Sequence, residues 1–492
     1  MSVDSINDLP VVNTFAQLPA DFYTRLPAQP LTRPRLLHAN TEVAALLGLS
    51  AAALQKPEFL DVCAGTVGLK GGDTLAAVYS GHQFGIWAGQ LGDGRAHLLG
   101  EVVGPQGNWE LQLKGSGLTP YSRMGDGRAV VRSSVREYLA SEAMAGLDIP
   151  TTRALALVVA DDPVYRETIE TAAVVTRVSP TFVRFGSFEH WSGHPQNLEV
   201  LVNYVVGKFY PQCRDAKVAA GTDVQRVALA MLGEVVERSA RMVADWQTVG
   251  FCHGVMNTDN MSILGLTLDY GPYGFMDAFQ INHVCNHTDS QGRYAWNAQP
   301  SVVHWNLYRL ANSLIGLDLD ADDLRAQLQT YEASFLQAYQ TNLVRKFGWL
   351  AWQPGDDVLV DDWWRLLHTQ QADFTLAFRY LAHADQHTDQ FLALFSDREA
   401  VLAWLTRYQQ RCAAEGRSTD QRSEQMLAAN PLYVLRNHLA EIAIQAAQQG
   451  DAGEIDTLLQ LLRKPFVARP GYEKYAAPAP DWARDLEVSC SS

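Results

Sequence analysis

"HGVMNTDNMSILGLTLDYG", residues 253–271, is the stretch on which the reading of this chain turns. An Asp-Asn pair, Asp259 and Asn260, and a later Asp269 bracket the apolar run "MSILGLTL". Upstream, "DVQRVALAMLGEVVERSARMVADWQTVG" (223–250) has the spacing of a long amphipathic helix, stopped by Gly250. If the apolar run is a β-hairpin, Asn260 and Asp269 stand at adjacent strand ends and can share one divalent cation through hard oxygen ligands. Asp259 is then left beside the metal, free to accept a hydroxyl proton. The plainer alternative is that Asn and Asp fill turns.

The order of these residues resembles a protein-kinase segment, in which His-Arg-Asp is followed about five residues later by Asn, and then by Asp-Phe-Gly. Here Gly254 and Val255 follow His253, so the expected Asp is missing, while Asp269-Tyr-Gly takes the Asp-Phe-Gly place. Phosphoryl or nucleotidyl transfer needs an anion held in place, its charge neutralised by metal, and an oriented nucleophile.

Cations for such an anion lie earlier in the chain. "WELQLKGSG" (109–117) alternates Trp109, Leu111 and Leu113 against Glu110, Gln112 and Lys114, the period of a half-buried strand. "TAAVVTRVSP" is a second strand, and between them "RAVVRSSVREYLASEAMAGL" is a helix ending at Gly146. Glu137 falls on the helix face that carries Val130, Ser134 and Met144, so it points inward. A buried Lys114–Glu137 pair that aims the ammonium at phosphate and an exposed strand-to-helix salt bridge both fit this spacing. Arg132 and Arg136 are expected on the solvated outer face. Arg177 and Arg184, among apolar and aromatic neighbours, call for acidic or phosphate partners.

"GDGRA" occurs twice, at 92–96 and 125–129. Two glycine loops around a Lys-bearing strand fit a phosphate cradle of backbone amides and guanidinium forks. They also fit two ordinary hairpin turns. "HVCNH" sets His283, Cys285 and His287 on alternate positions, but with no fourth ligand in view it reads as a structural loop.

The bulk composition agrees. The chain has 492 residues, 47% hydrophobic and 19% charged, with a net charge of −15. That acidity argues against nucleic acid or an anionic membrane as the main partner, and leaves room for a nucleotide held by local cations. Six cysteines without C-x-x-C spacing suit a reducing compartment. No run of about 18 apolar residues occurs and the first residues lack a leader pattern, so a cytoplasmic protein is expected. The segment preceding residue 76 is mixed and Pro-punctuated, with one short helix near "TEVAALLGLS"; helices dominate after about 206.

Taken together, "LKGSGLTPYSRMGDGRAVVRSSVREYLASEAMAGLDIPTTRAL", the stretch 253–275 and the tail "CSS" resemble the selenoprotein O family of protein adenylyltransferases, from about residue 76 onward. The resemblance implies an α+β, bilobal protein-kinase-like fold: a strand-rich N-lobe (76–205), a helical C-lobe (206–345), and a helical C-terminal extension (346–492), after an N-terminal extension (1–75). It implies transfer of AMP from ATP to Ser, Thr or Tyr hydroxyls of protein substrates, with ATP flipped relative to kinases and Mg²⁺ or Mn²⁺ assisting. It assigns nucleotide binding to Gly92, Gly94, Arg95, Lys114, Asp126, Gly127, Arg177, Arg184 and Asp269. It makes Glu137 the partner of Lys114, Asp259 the proton acceptor, and Asn260 and Asp269 the metal ligands. A redox link from Cys490, where relatives carry selenocysteine, is also implied, with Cys285 as its partner. A conventional γ-phosphate kinase and a catalytically silent ATP-binding scaffold remain as alternatives, and nothing in the sequence selects ATP over UTP.

Overall fold

The Gly-punctuated segment downstream of residue 75 builds most of one antiparallel sheet. The computed structural model describes residues 2–216 and 221–488. The strands are β1 (Tyr23–Arg25), β2 (Arg35–Ala39), β3 (Leu75–Gln83), β4 (Ile86–Gly92), β5 (Ala96–Gly104), β6 (Gly107–Lys114), β7 (Ala129–Val130), β8 (Arg153–Tyr165) and β9 (Ile169–Ser179). They run in the order β1-β3-β5-β6-β9-β8-β2, with β4 beside β3 and β7 beside β9. The register sets Lys114 opposite Val175 and Gln112 opposite Arg177. The first 75 residues thus supply two strands of this sheet, and also two helices, α1 (Thr41–Leu47) and α2 (Pro57–Cys63).

Those helices account for a departure from the expected half-buried strand. Leu111 and Leu113 pack with Val43, Leu47, Phe59 and Val62 of α1 and α2. The opposite, polar face is also shut off from water: Glu110, Gln112 and Lys114 are only 2%, 1% and 9% exposed. Helix α3 (Val131–Gly146) crosses that face, with Val135, Leu139 and Met144 packed against Leu157 and Val175. A period of two says which residues share a face, not whether water reaches it. The sheet is covered on both sides.

The helical remainder includes α4 (Phe185–His190), α5 (Pro195–Phe209), α6 (Asp223–Val249), α7 (Gln299–Leu314) and further helices between Ala321 and Leu462. Helix α6 starts on a Thr222–Gln225 capping box and ends at Gly250, whose φ of 71° is the left-handed cap. A second core, around Phe347, Trp363, Trp404 and Tyr408, knits the later helices together.

Arg132 and Arg136 do not form the expected solvated face. Helix Asn437–Gln448 covers them: Arg132 pairs with Glu441, and Arg136 donates to the Tyr273 carbonyl at 2.5 Å and to Asn437. The Arg136 guanidinium also lies 4.4 Å from the centre of the Tyr273 ring. A charged helix stripe reads as surface until another element lands on it. The result is a mixed α/β chain with one large antiparallel sheet. Among the described residues no helix is long and apolar enough to cross a membrane.

Candidate active site

The polar face of β6 and β9 is the floor of a cleft of about 620 Å³. Lys114, the last residue of β6, donates to Glu137 Oε2 on α3. Both are buried, so the pair is the internal one of the two readings. Burial pushes the Lys114 ammonium below its ordinary pKa, against the opposing pull of Glu137. Glu137 also accepts from Arg177 at 3.3 Å. Arg177, beside Gln112 in the sheet, donates onward to Gln112 Oε1 and to Asp269 Oδ1, the latter at 2.5 Å.

The catalytic-type segment follows α6, but the expected hairpin at 261–268 is absent. Instead β10 (Phe251–Cys252) pairs with β11 (Gly274–Phe275), and the loop between them is pinned to segments distant in the chain. Ser262 bridges to Arg184, and Thr267 bridges to Thr151. The apolar residues of the run are spent on these contacts and on the core, where Ile263 is fully buried. His253 stacks on Trp246 and pairs through Nε2 with the Leu268 carbonyl at 2.9 Å.

Asp269 sits at φ 59°, a left-handed conformation uncommon for a residue with a side chain and typical of functional sites. Its other oxygen, Oδ2, pairs with Arg184, which also donates to the Asp259 carbonyl at 2.7 Å. Burial alone pushes the Asp269 carboxyl up; the guanidiniums of Arg184 and Arg177 and the Lys114 ammonium outweigh it and hold it well below the usual carboxylate range. Asp259 lacks that escort. Burial pushes its carboxyl up to about 6, against Gln83 and Arg184. The two carboxyls of one segment are set apart: one locked as an anion, one basic enough to take a proton.

The oxygen donor types of Asn260 and Asp269 suit a hard divalent cation, although both Asp269 oxygens are paired with arginines here. Asn260 donates its amide nitrogen to the Val255 carbonyl at 3.0 Å, which leaves Oδ1 as a neutral oxygen ligand. Asp269 remains ionised beside the cleft. One carboxylate and one amide suit an ion that takes its other oxygens from phosphate and water.

Both glycine loops border the cleft. In the first, Asp93 is buried and accepts from Ala77 N and Gln112 Nε2, each at 3.1 Å, so it fastens the loop to the sheet. A Cβ on Gly92 would stand 2.5 Å from the Tyr121 ring. Arg95 is exposed at the rim. In the second loop, Asp126 accepts from Arg128 N at 2.9 Å and from both terminal nitrogens of Arg166 at 2.7 and 3.0 Å. Gly127, at φ 71°, presses against the Gly117 backbone, where a Cβ would meet Gly117 C at 2.2 Å. Arg166 and Asp93 escaped the sequence reading. Arg166 has no local signature and is defined by its partner on another loop; Asp93 lies in the first "GDGRA", at the place Asp126 holds in the second.

Among the described residues no cluster of three His, Cys, Asp or Glu side chains is arranged to hold a metal. Cys285 instead donates to the Pro272 carbonyl at 3.0 Å, behind the cleft. Residues 487 and 488 come to this segment: His287 N donates to the Val488 carbonyl at 3.0 Å, and His287 pairs with Glu487 at 2.5 Å. Cys490 lies outside the described residues.

Lysine and arginine side chains with backbone amides at hand for an anion, and oxygen ligands for its counter-cation, are the equipment of enzymes that act on nucleoside triphosphates. Comparison with known proteins narrows the class. Residues 6–463 match the family described as Protein adenylyltransferase SelO. The protein nucleotidyltransferase YdiU of Bordetella avium is 66% identical over 495 residues, covering 100% of both chains. That of Bordetella petrii is 64% identical over 497 residues, again 100% of both, and that of Ralstonia nicotianae 52% over 506 residues, 97% of this chain and 95% of that one. The chain belongs to the SelO family of protein adenylyltransferases.

Proposed function

We propose that this chain moves AMP from ATP to Ser, Thr or Tyr hydroxyls of other proteins, within a bilobal, protein-kinase-like arrangement. In that arrangement 76–205 is the nucleotide-binding lobe, 206–345 the helical lobe, 346–492 a helical extension and 1–75 the leading segment. A cytoplasmic location, read from the scattered cysteines, belongs to the same proposal. The observation that carries it is the separation of roles in one cleft: Asp269 locked as an anion by Arg177 and Arg184, and Asp259, raised to about 6, on the same segment.

Lys114, aimed by Glu137, would hold phosphate together with Arg177 and Arg184. Gly92, Gly94 and Arg95 of one loop and Asp126 and Gly127 of the other would hold the rest of the nucleotide. Asn260 and Asp269 would hold Mg²⁺ or Mn²⁺, which supplies charge neutralisation at the phosphates. Asp259 takes the proton of the acceptor hydroxyl. The hydroxyl oxygen bonds to the α-phosphorus, the bond from that phosphorus to the bridging oxygen breaks, and pyrophosphate leaves.

The test is a paired incubation with ATP labelled at the α- or the γ-phosphate. Label from the α position alone is expected on protein. Label from γ alone would mean that the nucleotide sits as in ordinary kinases, and no label at all, with ATP still raising the melting temperature, would mean a silent scaffold.

The approach of residues 486–488 to the Cys285 segment supports a thiol link to the tail. Oxidised protein is expected to migrate faster than reduced protein on a non-reducing gel, with the difference lost in Cys490→Ser. Equal mobility in both states of the unsubstituted chain would remove the link.

A further inference from the structure

The role given to Asp259 leaves open how its carboxylate is aimed. The answer lies on the β3–β4 hairpin, which carries no glycine-loop motif. Its turn is Phe84-Gly85, with φ of 51° and 82°, between the paired residues Gln83 and Ile86. Two left-handed residues make the tight turn of a two-residue hairpin, and a bulky side chain there is strained. The strain is held by contacts with the segment around Asp259. Phe84 N donates to Asn257 Oδ1 at 3.1 Å and to Tyr294 Oη at 2.9 Å, and its ring lies 5.2 Å from that of Tyr294. His82 N donates to Thr258 Oγ1 at 2.7 Å. Gln83, between them, donates its side-chain amide to Asp259 Oδ2 at 3.1 Å.

The two oxygens of Asp259 are therefore unequal. Oδ1 is buried without a hydrogen-bond partner among the described residues. It faces Gly81 of the same strand, where an added Cβ would stand 3.0 Å from Oδ1 and 3.0 Å from Thr258 Oγ1. That side is closed by backbone. With Oδ1 closed off, we take Oδ2 as the oxygen that serves the cleft, which Gln83 and Asp259 both line. A carboxylate oxygen accepts more than one hydrogen bond, so the Gln83 amide can occupy one direction on Oδ2 and leave another for an incoming hydroxyl.

We infer that Gln83 is a positioning residue for the transfer: it fixes Oδ2 of Asp259 in the direction from which the acceptor hydroxyl arrives, and so makes the β3–β4 hairpin part of the transferring machinery. The inference rests on the reading of Asp259 as proton acceptor. Misplacing a reacting group by about 1 Å costs on the order of 100-fold in rate. Gln83→Leu removes the donor. Gln83→Glu keeps the shape and sets an anion against Oδ2.

The experiment measures AMP transfer from α-labelled ATP to casein, an unfolded hydroxyl-rich acceptor, by the full-length chain. Unsubstituted protein, both Gln83 variants and Asp259→Asn are compared, with the ATP-induced rise in melting temperature as the check on folding and nucleotide binding. Expected is a fall in kcat of about 10-fold for Gln83→Leu and about 100-fold for Gln83→Glu, with KM for ATP unchanged. A residue that only fills space would tolerate the isosteric glutamate better than leucine, so wild-type kcat in Gln83→Glu overturns the inference. So does a rise in KM for ATP matching the loss in kcat, which would assign Gln83 to the nucleotide pocket. Full activity of Asp259→Asn would instead remove the proton-acceptor reading, and this inference with it; an inactive Asp259→Asn beside a normal Gln83→Glu would remove the inference alone.

Discussion

Asp269→Ala is expected to abolish binding of the metal–nucleotide complex and to lower transfer by roughly 1000-fold or more, as loss of a charge-neutralising metal does. The side chain is placed to serve twice. In the proposed arrangement it would be one of two oxygen ligands to the metal, and it is the shared anion of Arg177 and Arg184. Removing it leaves the buried Arg184 without a carboxylate partner and Arg177 with Glu137 alone, at a cost to stability of about 3–5 kcal/mol. Asp269→Asn keeps the shape and one acceptor oxygen but sets an amide donor against an arginine donor, so it tests the charge and the arginine pairing together. Calorimetric titration with ATP and Mg²⁺, beside a thermal melt, reads both quantities. Retained metal–nucleotide affinity together with full transfer in Asp269→Ala would remove Asp269 from the site.

Asp259→Asn is expected to behave differently: ATP affinity near that of the unsubstituted protein, and transfer slower by roughly 100- to 10,000-fold, the range for losing a general base. The contrast follows from their surroundings. Among the described residues no cation pairs with the Asp259 carboxylate, and Arg184 donates to its backbone carbonyl. Its removal therefore leaves the arginine network standing. Rapid-mixing measurement of the transfer step, with ATP affinity determined separately, distinguishes this from a binding defect. A loss of affinity as large as the loss of rate would make Asp259 part of the nucleotide site instead of the proton acceptor.

Much of this was legible before any tertiary contact was known. The periodicity of 223–250 with its closing glycine defined α6 to the residue, and "RAVVRSSVREYLASEAMAGL" defined α3 up to Gly146. Lys114 on a strand and Glu137 on the inward face of the next helix could be paired in principle, and they are paired. The errors share one cause. The run 261–268 has hairpin-like composition, yet its backbone bonds to Val183 and Pro150, elements far away in sequence. Arg136 has the spacing of a surface stripe, yet a helix some 300 residues later buries it. The polar face of β6 alternates like a solvated one, yet α3 closes over it.

The sequence by itself determined the order of the chemistry-bearing residues, the extents of α3 and α6 and the glycines at forced turns, because helical and strand periods and positive φ are properties of short stretches. Only the tertiary structure decided which polar faces meet water, that Arg177 and Arg184 converge on Asp269, and that Gln83 reaches Asp259 across 176 positions of chain. Those pairings are set by sheet register and helix packing, which bring together residues whose local surroundings carry no trace of one another.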